Sequence, residues 1–310
     1  MLLNPSAPQI PNIENGNVRP LWSVMIPTYN CADYLRIALE SVLEQDLGPD
    51  VMQIEVVDDC SRQDDPEAIV KEIGQGRVNF FRQVHNVGAI ANFNTCIQRS
   101  IGYIVHILHG DDLVKPGFYQ KLGPPLLENE HIGAAFCRQI YIDENGRETV
   151  VTRCEQPYTG IFERALDTLA VSNRIQPPSM VVKRSVYETL GGFDPRLFHA
   201  ADWEMWVRIA TSLAIWYEVE PLAYYRIHSA SDTSKLVRTG ANIQNRREAI
   251  NVFSRYLPPD RKPYLMRKAL GYSAIYGFKM TIKALKMQDF AAGYSQLRET
   301  LLCLQEVLHN

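Results

Sequence analysis

The sequence predicts an α/β fold, a mostly parallel sheet flanked by helices, with a helical region after it. Three observations carry that prediction. The runs Ser23–Asn30, Ile54–Ser61 and Tyr103–Asp112 each hold a short apolar stretch that stops abruptly in polar residues, as a buried strand feeding a turn does. Between the first two, Leu35, Ala38, Leu39, Val42 and Leu43 recur at helical spacing. From about Gly240 onward the chain reads as helical, with a break at Leu257-Pro-Pro-Asp260.

The elements follow in order. A strand ends at Asn30, a helix runs through Leu43, and a second strand covers Ile54–Val57. Helix Pro66–Gly74, strand Val78–Gln83, helix Asn92–Arg99 and strand Tyr103–Leu108 complete a β-α-β-α-β alternation, which implies right-handed parallel crossovers. The pattern then changes. Gly133–Ile142 and Arg147–Arg153 flank the turn Asp143-Glu-Asn-Gly146 and read as a hairpin. Met180–Lys183 reads as a strand, and a helix is expected to start near Asp202, ahead of Trp203, Trp206, Val207 and Ala210.

Composition narrows the function. The 310 residues are 46% hydrophobic and 22% charged, enough for a full core in one large or two smaller domains. A net charge of −3 argues against nucleic acid as the main partner. Six cysteines form no C-x-x-C pair, which fits a reducing compartment. No uncharged run reaches spanning length, and the first 20 residues, with Pro5, Pro8, Pro11 and Pro20, lack the pattern of a secretory signal and are expected to form a loose arm. These features point to a cytoplasmic protein.

The strand ends carry the chemistry. Two of the three runs end in Asp-Asp, at Asp58-Asp59 and Asp111-Asp112, and one in Pro27-Thr28-Tyr29-Asn30. Open α/β sheets bind ligands beyond the carboxyl ends of their strands. Four carboxylates in one crevice call for a divalent cation, with a ribose and base offering donors.

The stretch Asn86-Val-Gly-Ala-Ile-Ala-Asn-Phe-Asn94 through Gly102-Tyr-Ile and Asp111-Asp112 resembles family 2 glycosyltransferases of the GT-A fold. The resemblance covers roughly residues 21–230. It implies an inverting enzyme that moves a sugar from a nucleotide-sugar, most commonly a UDP-sugar, to a saccharide or lipid-linked acceptor hydroxyl with Mn²⁺ or Mg²⁺, in polysaccharide or glycolipid synthesis. The domains it implies are an arm (1–20), a catalytic domain (21–235) with a nucleotide-binding half (21–112) and an acceptor-binding half (113–235), and a helical region (236–310).

The resemblance assigns roles residue by residue, each with a plainer reading beside it. Pro27, Thr28 and Tyr29 hold a flat base, or form a simple turn with Asn30 as N-cap. Asp59 accepts from the base or ribose, or caps a turn. Asn86 and Gly88 shape the loop beside the nucleotide, or only cap a helix. Asp111 contacts the ribose or the metal, and Asp112 ligates the metal. His109 and Phe93 stand where many members carry an aspartate and an arginine, so roles at those two positions do not carry over. Asp202 is the catalytic base, although Ala201 replaces the first acid of the usual pair. Glu204 is the competing acid, but stands four residues from Arg208 and can pair with it. Arg226 and His228, in Tyr225-Arg-Ile-His228, face the diphosphate, with His228 also a metal ligand; otherwise they are a surface arginine and a packed histidine.

Residues 261–288 hold seven basic residues and no acid. They read either as a helical pair with a solvated basic face or as a peripheral contact with an anionic membrane. Two other functions compete with transfer. A sugar nucleotidyltransferase is disfavoured because Pro27–Asp33 lacks a glycine-rich basic loop. A catalytically degenerate nucleotide-sugar-binding protein is suggested by the departures at Phe93, His109 and Ala201.

Overall fold

A computed structural model describes residues 4–14, 18–229 and 231–309. The first half alternates β1 (Trp22–Thr28), α1 (Ala32–Leu43), β2 (Met52–Asp58), α2 (Pro66–Gly74), β3 (Asn79–Arg82), α3 (Ala89–Arg99) and β4 (Ile104–Ile107). Short β5 (Leu113–Val114), α4 (Phe118–Leu122) and α5 (Pro124–Glu128) lead to β6 (Ile132–Ile142) and β7 (Glu148–Val151). Then come β8 (Gly160–Ile161), α6 (Ala165–Leu169), β9 (Met180–Lys183), α7 (Arg184–Leu190), α8 (Ala201–Ala210) and β10 (Ala214–Arg226). Four helices follow: α9 (Asp232–Thr239), α10 (Ala241–Phe253), α11 (Lys262–Lys286) and α12 (Phe290–His309).

One sheet organises residues 22–226, in the order β3-β2-β1-β4-β9-β6-β10-β5. β3, β2, β1 and β4 are parallel, as the alternation predicts, and so are β6 and β10. β9 runs antiparallel to both β4 and β6 and joins the two parallel blocks. Successive strand residues feed opposite faces. Val24 and Ile26 pack in one core with Ile54, Val56 and Leu39, while Met25 packs in the other with Val57, Val105 and Ile107. Both faces are covered, which is why these strands read as continuous apolar runs.

The strand order reverses between β1 and β4, the point where a doubly wound sheet opens a crevice. The end of β1 is tied to both acidic loops. Asp59 N–H donates to the Thr28 carbonyl at 2.9 Å, and Gly110 N–H to the Pro27 carbonyl at 3.0 Å. Gly110 is wedged so closely that a Cβ there would lie 2.9 Å from Thr28 Oγ1 and 3.1 Å from Cys31 Sγ.

Several expectations change. α3 begins at Ala89, ahead of the predicted Asn92. β10 was not predicted; its run is interrupted by Glu218, Glu220 and Pro221, and the ladder to β6 shifts register there, where proline cannot donate. Asn30 is not a helix cap. It sits at φ 49°, and its side-chain oxygen accepts from the Arg62 and Gln63 amides, while Asp64 Oδ2 accepts from Ala32 N–H at the start of α1.

The arm expected to be loose is packed over residues 4–14; residues 1–3 and 15–17 lie outside the described residues. Ile10 is buried in the core, the Pro8 carbonyl accepts from Gly192 N–H, and Asn4 Nδ2 donates to Asp194 Oδ2 at 2.8 Å.

Candidate active site

The loops after β1 and β2 form a hydrogen-bonded frame. Asp59 Oδ1 and Oδ2 accept from the Val87 and Gly88 amides at 2.7 and 2.9 Å, and Asn86 Nδ2 donates to the Asp59 carbonyl at 3.2 Å. Burial raises the Asp59 pKa, while these two amides pull it down. The side chain expected to face the base therefore clasps the following loop, where Gly88 takes φ 87°. Asp58 is fully buried and accepts from Ser61 and Arg82, a purely structural role. Thr28 Oγ1 contacts Cys31 Sγ at 3.0 Å, and Tyr29 is exposed at the lip. Behind the loop, Asn92 Nδ2 donates to the Val57 carbonyl and Asn94 bonds both the N–H and the carbonyl of Phe193.

Beyond β4 the ligating atoms of His109, Asp111 and Asp112 all lie within 4.8 Å of one another. Asp112 Oδ1 accepts from Arg226 N–H at 2.8 Å. Its Oδ2 is buried without a hydrogen-bond partner, as is His109 Nε2, and His109 Nδ1 stands 3.5 Å from that Oδ2. Burial and the adjoining Asp111 carboxylate push the Asp112 pKa well up. Burial raises the Asp111 carboxyl too, but the His228 hydrogen bond and the charges of His109 and His228 bring it below its ordinary value. Burial lowers the His109 pKa, and the Asp111 carboxylate opposes it. An orphaned carboxylate oxygen, a second carboxylate and an imidazole with an unpartnered ring nitrogen suit a divalent cation. The ring of Phe93 stacks on His109 at 4.8 Å, so the two departures from the family pattern pack on each other.

Arg226 and His228 reach this loop from the end of β10. Arg226 Nε donates to the Asp111 carbonyl at 2.8 Å, and its Nη1 to the Asp143 carbonyl at 3.2 Å in the β6–β7 turn. Its guanidinium lies 4.5 Å over the Tyr34 ring. The group expected to face a diphosphate thus fastens the acidic loop to the hairpin and to α1. His228 Nε2 lies 3.0 Å from Asp111 Oδ2, outside the three-residue group.

Asp202, the expected base, stands in the first turn of α8. Asp202 Oδ2 accepts from Asn173 Nδ2 at 2.8 Å, and Oδ1 from Trp203 N–H at 2.7 Å. Burial pushes its pKa up to about 6, with Asn173, the Trp203 amide and Arg246 opposing. Glu204 is fully buried and bonded to Arg208 at 2.8 Å, which removes it from the role of base. Tyr141, whose phenol feels the Asp202 charge, is the register partner of Tyr225 across β6 and β10, and the two rings meet edge to face at 5.5 Å. Tyr141, near the end of β6, is within electrostatic reach of Asp202, and Arg226, at the end of β10, meets Asp112.

A family model described as glycosyl transferase family 2 matches residues 23–191. The chain belongs to that family. This glycosyltransferase is 29% identical over 213 residues to an uncharacterized glycosyltransferase of Methanocaldococcus jannaschii, covering 67% of this chain and 71% of the relative. It is 26% identical over 243 residues to an uncharacterized protein of Mycobacterium tuberculosis, covering 75% of each. Among solved structures it resembles the mannosyltransferase PcManGT from Pyrobaculum calidifontis in complex with GDP-Man and Mn²⁺, with TM-score 0.57, 18% identity and coverage of 94% and 87%. It also resembles residues 1–349 of S. aureus TarS in complex with UDP-GlcNAc, with TM-score 0.56, 16% identity and coverage of 89% and 90%. The transferase has the GT-A fold with added C-terminal helices.

Asn173, which bonds Asp202, and Tyr34, which sits under Arg226, carry no signal in the sequence beyond their residue types. His109 was legible only as a departure from the family pattern, and its position beside Asp112 shows only in three dimensions.

Proposed function

We propose that this glycosyltransferase is a divalent-metal-dependent, inverting enzyme that takes its sugar from a UDP-sugar. The observation that carries the proposal is the buried, unpartnered Asp112 Oδ2, which stands with His109 and Asp111 where β4 ends beside β1. Asp112, Asp111 and His109 would hold Mn²⁺ or Mg²⁺, with His228 steering Asp111. Once bound, the cation neutralises the diphosphate of the donor and of the departing nucleotide.

The chain's own residues do the rest. Pro27, Thr28 and the exposed Tyr29 offer main-chain atoms and a ring face to the base, in a frame set by Asp59, Asn86 and Gly88. Arg226 keeps the metal loop in register. Asp202, on the acceptor side, takes the proton of the acceptor hydroxyl as its oxygen forms the new bond to the anomeric carbon. The bond from that carbon to the nucleotide diphosphate breaks on the opposite face, and configuration inverts. The acceptor is a saccharide or lipid-linked hydroxyl, and the setting is cell-surface polysaccharide or glycolipid synthesis.

Titration calorimetry with UDP and GDP, each with and without Mn²⁺, tests the donor side. We expect Mn²⁺-dependent binding of UDP that Asp112→Asn removes. Equal binding without metal would overturn the assignment of the carboxylate cluster, and preference for GDP would overturn the donor. Retained binding with no donor hydrolysis or transfer to any acceptor would favour a degenerate binder.

A further inference from the structure

The α11–α12 hairpin leaves large apolar residues outside. Where the two helices meet, Gly277 lies against Thr300 and Gly293 against Ala284 and Leu285, while Ser273 and Gln296 are buried toward Arg246 and Asn242 of α10. The large apolar side chains point away. On α12, Phe290, Tyr294, Leu297, Leu301, Leu304 and Leu308 are 39–85% exposed and alternate at spacings of four and three. On α11, Tyr272, Ile275, Phe278 and Ile282 are 40–56% exposed. A helix pair in water normally turns such residues inward. Exposed apolar stripes on this scale mark an interaction site.

Charge selects the partner. Arg267, Lys268, Lys279, Lys283, Lys286 and Arg298 are exposed around these stripes. The only acids within the two helices, Glu299 and Glu306, are turned toward Arg247 of α10 and pair with it at 2.9 and 2.5 Å. A second copy docked on the same face would bring like charge to like charge, whereas an anionic lipid surface meets apolar side chains and cations together. No helix among the described residues is long and apolar enough to cross a bilayer, so the hairpin would lie along the surface.

We propose that the outer face of the α11–α12 hairpin docks in the headgroup zone of an anionic lipid bilayer, its apolar stripes at the acyl boundary and its lysines among the phosphates. The hairpin is also coupled to the acceptor side. Arg246 of α10 lies 4.6 Å over Trp203, the neighbour of Asp202, and 5.3 Å over Tyr276 of α11. Resting on the transferase reading above, this makes the acceptor an amphiphile whose hydroxyl is offered at the membrane surface.

Co-sedimentation of the full chain with vesicles tests this. The probes are phosphatidylcholine alone and phosphatidylcholine with about 30% phosphatidylglycerol, at low and high salt. We expect binding to the anionic vesicles that weakens with salt. It should weaken by about tenfold or more in Phe290→Ser/Leu301→Ser/Leu304→Ser and in Lys279→Glu/Lys283→Glu/Lys286→Glu. Circular dichroism and lipid-free UDP–Mn²⁺ calorimetry on the same samples check the fold and test the donor reading separately. No sedimentation at low salt would overturn the proposal. So would undiminished binding by the apolar triple variant, or a dimer in light scattering that this variant dissolves while vesicles are ignored.

Discussion

Asn173 Nδ2 holds Asp202 Oδ2 at 2.8 Å, across 29 residues of chain, and so fixes the one acidic side chain of α8 not engaged in an ion pair. Burial leaves that carboxyl with a pKa of about 6 against an ordinary 3.8. The raised value suits a base working near neutrality.

Two opposite pH dependences follow for Asp202. As the proposed base it would act only when ionised, so kcat/KM should rise with pH through about 6 and level off above it. Stability runs the other way. The folded state holds this proton more tightly than the unfolded chain, so ionisation costs nothing below pH ~4 and about 3 kcal/mol once pH exceeds 6. Asp202→Asn should lower transfer by about 10²–10⁴-fold. It should melt no lower than wild type at pH 8, and like wild type at pH 4. Asn173→Ala, which keeps the base but removes its donor, should move the acid limb to higher pH. A pH–rate profile with thermal unfolding checks all of this, and an unmoved limb in Asn173→Ala would sink the positioning role.

Arg226 is a fastener, so its replacement should be read first in stability. Arg226→Met loses the bonds to the Asp111 and Asp143 carbonyls and the contact with Tyr34, at about 2–4 kcal/mol. Arg226→Lys should fail to rescue, because one ammonium cannot reproduce a planar fork that bonds and stacks together. Denaturant melts of the three proteins decide, and a lysine variant as stable as wild type would show that charge alone suffices.

Gly110 is set by contact distance. In Gly110→Ala the new Cβ must displace Thr28 Oγ1 or Cys31 Sγ. The strain should be about 1–3 kcal/mol, and UDP affinity should fall because both acidic loops hang on the end of β1. Calorimetry beside a thermal melt measures the two effects; unchanged values in both would mean that the loop yields freely.

The N-terminal segment should behave as part of the domain. Asn4→Ala removes a buried donor from Asp194 and should cost about 1–3 kcal/mol. Protease resistance of residues 4–14 in the native protein gives an independent readout, and rapid cleavage there would contradict the packing of Ile10.

Much of this molecule could be read from the chain. α2 and β9 fall where the residue pattern put them, because Pro66 opens one and an apolar run bounded by Pro177-Pro178 makes the other. β10 escaped because Glu218, Glu220 and Pro221 break its alternation, and only pairing with β6 rescues it as a strand. The exposed stripe of α12 escaped for a different reason. A helical repeat of large apolar residues looks the same in sequence whether it faces a core or solvent.

What the sequence by itself determined was local: strands that stop in acids, helices between them, and the order of motifs that marks the family. These depend on residues close together along the chain, whose periodicity and turn chemistry are visible one segment at a time. The tertiary structure alone decided which polar atoms remain free. Asp59 is taken by the Val87 and Gly88 amides, and Arg226 by carbonyls more than 80 residues away, whereas Asp112 keeps one carboxylate oxygen unpaired. Hydrogen-bond partners assigned over such separations follow from how the sheet brings strand ends together, and no stretch of sequence records that pairing.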